Sequence, residues 1–148
     1  MSQDDAKQAP RTALTVSTTS RPPFTILFVD PDRARAERLA DAVRATCVVG
    51  MAPSAHIALE ALRHRLPDLI VTELDLPDMG GVEFITRVHG DPVTRHVLIM
   101  VVTNRTTVGD KIAALTAGAD DFIVRPVTAE QFLLKTQLLG RFRRVLGR

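Results

Sequence analysis

Ile26-Leu27-Phe28-Val29-Asp30-Pro31-Asp32 sets four consecutive apolar, β-prone residues against an acidic turn. A strand with one face in water alternates apolar and polar residues, whereas a run that is apolar at every position must be covered on both faces. Four further runs repeat the theme: Cys47-Val48-Val49, Leu69-Ile70-Val71-Thr72, Val97 to Val102, and Phe122-Ile123-Val124. Helical patterns follow each of them. Arg33 to Ala45 carries Ala36, Leu39, Ala40 and Val43 on one face, and Ser54 caps a helix bearing Ala58, Ala61 and Leu62. Val82 to Val88 follows Gly80-Gly81, a helix around Val108 to Ala117 ends at Gly118, and Thr128 caps a last helix that runs toward Leu146. Doubly covered strands interleaved with helices predict an α/β fold. Its expected form is a three-layer sandwich around a five-stranded parallel sheet in flavodoxin-like order.

Length and composition bound the rest. The 148 residues fit one domain over residues 23–148, behind a leader over residues 1–22 rich in Ser, Thr, Gln and Pro that reads as disordered. There is no Trp or Tyr, which argues against a base-stacking surface. The net charge of +2 is uneven: residues 23–140 hold 12 Lys/Arg against 15 Asp/Glu, while Arg141, Arg143, Arg144 and Arg148 form an acid-free end. An acidic body with a short arginine tail is not the basic face of a duplex-binding domain, so nucleic acid is not an expected partner. Salt-labile attachment through that tail remains an alternative function. The lone Cys47 excludes an intramolecular disulfide, fits a reducing compartment and reads as a buried, inert thiol. Residues 1–22 lack the apolar core of a signal peptide, and Val97 to Val102 is far too short to cross a bilayer. The expected location is therefore cytoplasmic, without membrane attachment.

In an open parallel sheet, the residues just past the strands' carboxyl ends line a shared crevice. Here they are Asp30 and Asp32 after strand 1, Glu73 after strand 3, Thr103 after strand 4 and Arg125 after strand 5. Three carboxylates, a hydroxyl and a guanidinium thus converge from distant segments. Asp75 and Asp78 beside Pro77 read as turn and cap residues. His56, His64, His89 and His96 lack metal-ligand spacing.

Three motifs in order carry a resemblance: Ile26-Leu27-Phe28-Val29-Asp30; Pro67-Asp68-Leu69-Ile70 leading to Leu76-Pro77-Asp78-Met79-Gly80-Gly81; and Ala117-Gly118-Ala119-Asp120-Asp121-Phe122 ending in Arg125-Pro126. Over about residues 24–146 the chain resembles bacterial response-regulator receiver domains. The resemblance implies an aspartate phosphoacceptor at the end of strand 3, a position held here by Glu73. It implies two acids after strand 1 that help bind Mg²⁺; the first is Asp30, but the second position is Pro31. It implies a switch hydroxyl, kept as Thr103, an aromatic switch, kept as Phe122, and a phosphate-contacting lysine, replaced by Arg125.

The departures have physical consequences. Pro31 offers no carboxylate to a hard cation, so a Mg²⁺ site built on Asp30 and Glu73 is expected to be weak or absent, and no cofactor is expected. Asp32 is the one nearby acid that could stand in. Glu73 carries its charge one methylene too far for in-line transfer, and Arg125 has a planar fork suited to gripping a carboxylate with two bonds. Glu73 and Arg125, with Thr103 donating to Glu73, are therefore expected to form a permanent pair. The chain reads as a stand-alone, non-enzymatic, phosphorylation-independent receiver acting in two-component signalling through protein contacts. A working phosphorelay receiver with a displaced or weak acceptor is the alternative.

The last helix adds a surface. Phe132, Leu134, Leu138, Leu139, Phe142, Val145 and Leu146 span an arc of about 160°, wider than the roughly 100° stripe that docking one helix needs. By resemblance, the face of helix 4, strand 5 and helix 5, with Phe122, is the expected surface for a protein partner or a second copy.

Overall fold

The computed structural model describes residues 22–145. Nearly all of the expected leader lies outside those residues, as do Leu146, Arg148 and the side chains of Phe142, Arg143, Arg144 and Val145. Five strands, β1 Phe24–Val29, β2 Cys47–Ala52, β3 Leu69–Thr72, β4 Leu98–Thr103 and β5 Asp121–Val124, alternate with five helices. The helices are α1 Arg33–Asp41, α2 Ala55–His64, α3 Gly81–Gly90, α4 Val108–Ala117 and α5 Ala129–Val145. All strand pairs are parallel and the order is β2-β1-β3-β4-β5. The chain steps from β1 outward to β2 and returns on the other side as β3. The β1/β3 boundary is thus the topological switch point.

Successive residues of each central strand feed opposite layers. Ile26 and Phe28 join Leu69, Val71, Met100 and Val102 beneath Ala36 and Ala40 of α1 and Phe132 of α5. Leu27 and Val29 join Ile70, Ile99 and Val101 beneath Leu62 of α2, Phe84 and Ile85 of α3 and Ala114 of α4. That division explains why residues 26–29, 69–71 and 98–102 are apolar throughout. It does not hold for β2. Val48 and Gly50 are exposed while Cys47, Val49 and Met51 are half-covered, because β2 is an edge strand. Cys47 is therefore half-buried rather than interior.

Helix starts follow the polar residues before them. Ser54 accepts from Ile57 N and Thr107 from Asp110 N. Thr128 accepts from Gln131 N while Gln131 accepts from Thr128 N, a reciprocal capping box. The first helix stops at Asp41 rather than continuing to Ala45. Turn bonds from Val43 N to Ala40 O and from Cys47 N to Val43 O carry buried Val43 into β2.

Gly81 lets α3 start hard against the β3–α3 loop, because a Cβ there would meet Leu74 Cα at 2.6 Å. Gly109, in the first turn of α4, has open space around it. The two glycines therefore predict opposite signs. Gly81→Ala should destabilise by about 1–3 kcal/mol through overpacking. Gly109→Ala should stabilise by up to about 1 kcal/mol through helix propensity. Urea denaturation of each variant checks both.

Candidate functional site

Backbone bonds continue beyond the strand ends and fix the crevice residues. Asp30 N donates to Ala52 O at 3.0 Å, Glu73 N to Val29 O at 2.9 Å, and Arg125 N to Thr103 O at 2.9 Å. Each side chain is thus held by ladder-like bonds to a neighbouring strand.

At the centre lies Glu73, 3% exposed. Its Oε2 accepts from Thr103 Oγ1 at 2.5 Å, from Leu74 N at 2.7 Å and from Asp75 N at 3.1 Å. Its Oε1 accepts from Arg125 Nη1 at 2.7 Å. Burial pushes the Glu73 carboxyl upward, but Thr103, Arg125 and the Asp75 and Leu74 amides outweigh it and hold the group below its ordinary value. Glu73 is an anion with both oxygens engaged.

Arg125 does not grip Glu73 with two bonds as its shape suggested. Its fork is divided: Nη1 serves Glu73, while Nη2 reaches Val102 O at 3.2 Å and Asp30 Oδ2 at 3.4 Å. The two-bond grip belongs to Arg35, whose Nε and Nη2 meet Asp30 Oδ2 at 2.9 Å and Oδ1 at 2.7 Å. Arg35 Nη2 also lies 3.4 Å from Glu73 Oε1, so one guanidinium bridges both buried carboxylates. Asp30 raises the already high pKa of Arg35, which therefore stays charged. The sequence reading missed Arg35. The available signal was its position in the first turn of α1, since helical side chains lean toward the N-terminus and here toward the crevice.

Asp32 does not join this cluster. It is exposed, and its Oδ1 caps α1 by accepting from Arg35 N at 3.1 Å, while its own N–H donates to Asp30 Oδ1 at 2.8 Å. Its carboxylate is spent on helix initiation. Asp78 likewise accepts from Ala55 N and His56 N at the start of α2, and Asp75 pairs with Arg105 at 2.6 Å. Phe122 is half-buried, and its covered part packs against the core layer that holds Phe84, Ile85 and Ala114. Among the described residues, no group of three or more His, Cys, Asp or Glu is placed to hold a metal ion.

A hard dication needs several oxygen ligands. Pro31 supplies no side-chain oxygen, Asp32 is turned to its helix, and the Asp30 and Glu73 oxygens are covered by guanidinium, hydroxyl and amide donors. The place between the two acids is filled by Arg35. These residues do not fit Mg²⁺.

Comparison with known proteins agrees with this fold. The family model described as "Response regulator receiver domain" matches residues 26–137. The chain is 33% identical over 118 residues to the transcriptional regulatory protein KdpE of Mycobacterium tuberculosis, covering 78% of this chain and 50% of that one. It therefore spans about half the length of that curated relative. A solved response-regulator structure from Chloroflexus aurantiacus J-10-fl superposes with a TM-score of 0.76 at 30% identity, covering 80% of this chain and 98% of that one. A CheY-like receiver domain protein from Methanospirillum hungatei JF-1 shares the fold, with a TM-score of 0.78 at 24% identity over 83% of this chain and 98% of that one.

Breaking the buried pair from either side strands a charge. Arg125→Met and Glu73→Leu should each cost about 3–5 kcal/mol, and the double variant should cost less than the two singles together. Because the folded Glu73 pKa is depressed, its contribution is complete above the ordinary value of 4.5 and is lost as pH falls below it. Glu73→Gln should therefore flatten the acid limb of the stability–pH curve, measured by denaturation from pH 7 down to pH 3.

Proposed function

The chain belongs to the response regulator receiver domain family, and on that premise we propose that it signals in a two-component pathway through protein contacts, without aspartyl phosphorylation. Receiver domains are signalling modules that work by engaging partner proteins. One observation carries the reading: the side chain at the acceptor position is a glutamate whose two oxygens already accept four hydrogen bonds. A nucleophile needs a free lone pair in line with the entering phosphorus. The Glu73 carboxylate stands one methylene further out than an aspartate's and is held in place by four donors. The divided Arg125 fork and the Arg35 bridge support the same reading, since the positive charges that would steady a phosphoryl group are neutralised by Asp30 and Glu73.

In this reading Thr103, drawn onto Glu73, holds the β4–α4 loop in one position. Arg105 N donates to Thr103 Oγ1 at 3.3 Å, and its side chain binds Asp75 on the facing loop. The partner surface then flanks β5. Val108 and Ile112 of α4 and Leu134 and Leu138 of α5 are all exposed, with Ile112 at 58% and Leu134 at 56%. The α5 overhang expected from its wide apolar arc is carried by Leu134 and Leu138, while Phe132 is fully buried against Phe28.

Incubation with a small acyl phosphate and Mg²⁺ should leave the mass of the chain unchanged. A stable gain of one phosphoryl group that disappears in Glu73→Gln would contradict the reading. Replacing Ile112 and Leu134 together by Glu should leave thermal stability nearly unchanged, as expected for exposed sites, yet abolish capture of the binding partner. Undiminished capture would move the interface elsewhere.

A further inference from the structure

Beside the charged crevice, a cavity of about 540 Å³ opens between α1 and the β5–α5 loop. Arg35, Arg38 and Leu39 of α1 form one wall, Asn104 lies at the back, and Arg125, Pro126, Val127 and Ala129 form the other. Three guanidiniums line it and no carboxylate does. Asp30 and Glu73, just beneath, neutralise Arg35 and Arg125, which leaves one uncompensated positive charge at Arg38. Arg38 makes no hydrogen bond or ion pair with any described residue. Surface arginines of this chain commonly pair: Arg33 and Arg44 with Glu37, Arg87 with Glu83, and Arg105 with Asp75.

The donors are also unspent. Among the described residues, Arg35 uses Nε and Nη2 on the acids and no partner takes its Nη1. Arg125 uses Nη1 and Nη2 and leaves Nε out. Asn104 accepts with its Oδ1 and donates to no described residue with its amide nitrogen. Ala129 opens α5; Thr128 Oγ1 caps Gln131 N, while the Ala129 and Glu130 N–H groups have no intrahelical acceptor and the helix dipole favours negative charge. Leu39, Pro126 and Val127 supply an apolar flank.

We propose that this cavity binds a small organic anion, with its carboxylate or phosphate held by Arg38 together with the spare donors of Arg35, Arg125 and Asn104, and its apolar part against Leu39, Pro126 and Val127. The donors it uses are those the Glu73 cluster leaves over, so ligand binding and the buried cluster coexist. The ligand would bridge α1 to the segment that launches α5 and so join a diffusible signal to the exposed α5 surface. The site stands whether or not Glu73 can be phosphorylated.

The test is an NMR titration of the full chain at fixed ionic strength with benzoate in one arm and phenyl phosphate in the other. The expected result is saturable movement of the Arg38, Val127 and Ala129 amides in at least one arm, and the stronger arm identifies the headgroup. Arg38→Gln should weaken binding about tenfold, the loss of one charge-assisted contact. Arg63→Gln, on the far helix α2, should not. Neither probe is an acyl phosphate, and Arg38 lies outside the buried cluster, so failure here is separate from any failure of the signalling assignment. Three results would overturn the site: no saturation below about 10 mM, the same shifts with chloride, or undiminished affinity in Arg38→Gln.

Discussion

A glutamate carboxylate, almost wholly buried at the end of the third strand, is the constraint on which this molecule turns. Taking such a charge out of water is expensive, and the cost is tolerable only when opposite charge and hydrogen bonds replace the lost hydration. Every strand that ends near the crevice contributes to that replacement. Strand β4 brings Thr103, the chain after β5 brings Arg125, and the loop after β3 turns two of its own amides inward. The turn after β1 brings Asp30, which would add repulsion were it not gripped by Arg35. Two acids and two guanidiniums close into a neutral cluster, and its members come from α1, β1, β3 and β5.

Such a cluster extends outward through rigid parts. Thr103 is both the donor to Glu73 and the acceptor for Arg105 N. Arg105 in turn faces Asp75 on the β3–α3 loop and lies 3.7 Å from Asp110 in the first turn of α4. The carboxylate is thereby linked, through a hydroxyl and an arginine, to the start of the helix that carries Val108 and Ile112. The glutamate holds the Thr103 hydroxyl directly.

The sequence was most informative where one residue's chemistry is decisive. Uniformly apolar runs located β1, β3 and β4, and side-chain oxygens before apolar patterns located the starts of α2 and α5. Strand order at the switch point was enough to bring Asp30, Glu73, Thr103 and Arg125 to one crevice. What escaped depended on distances that no one-dimensional pattern encodes. Cys47-Val48-Val49 looked like an interior strand because edge and centre differ only in what packs against them. Asp32 looked like a second crevice acid because chain proximity does not say which way a side chain turns, and a free helix N-terminus competed for it successfully. Arg35 escaped because a charged residue within an amphipathic helix reads as solvated surface. Its role arises from the lean of helical side chains toward a crevice that exists only once the sheet is built. The fork of Arg125 was expected to close on one acid and instead spans two, because Asp30 lies within its reach.

The arginine side chains themselves report most directly on the central claim. Nitrogen-detected NMR of the Arg125 guanidinium in the full chain should resolve its two Nη groups as separate, solvent-protected signals, unchanged on adding Mg²⁺, as for a group held by Glu73, Asp30 and Val102 O. A single averaged Nη signal in rapid exchange with water would mean that no buried carboxylate holds this guanidinium, and the account built on Glu73 would fail.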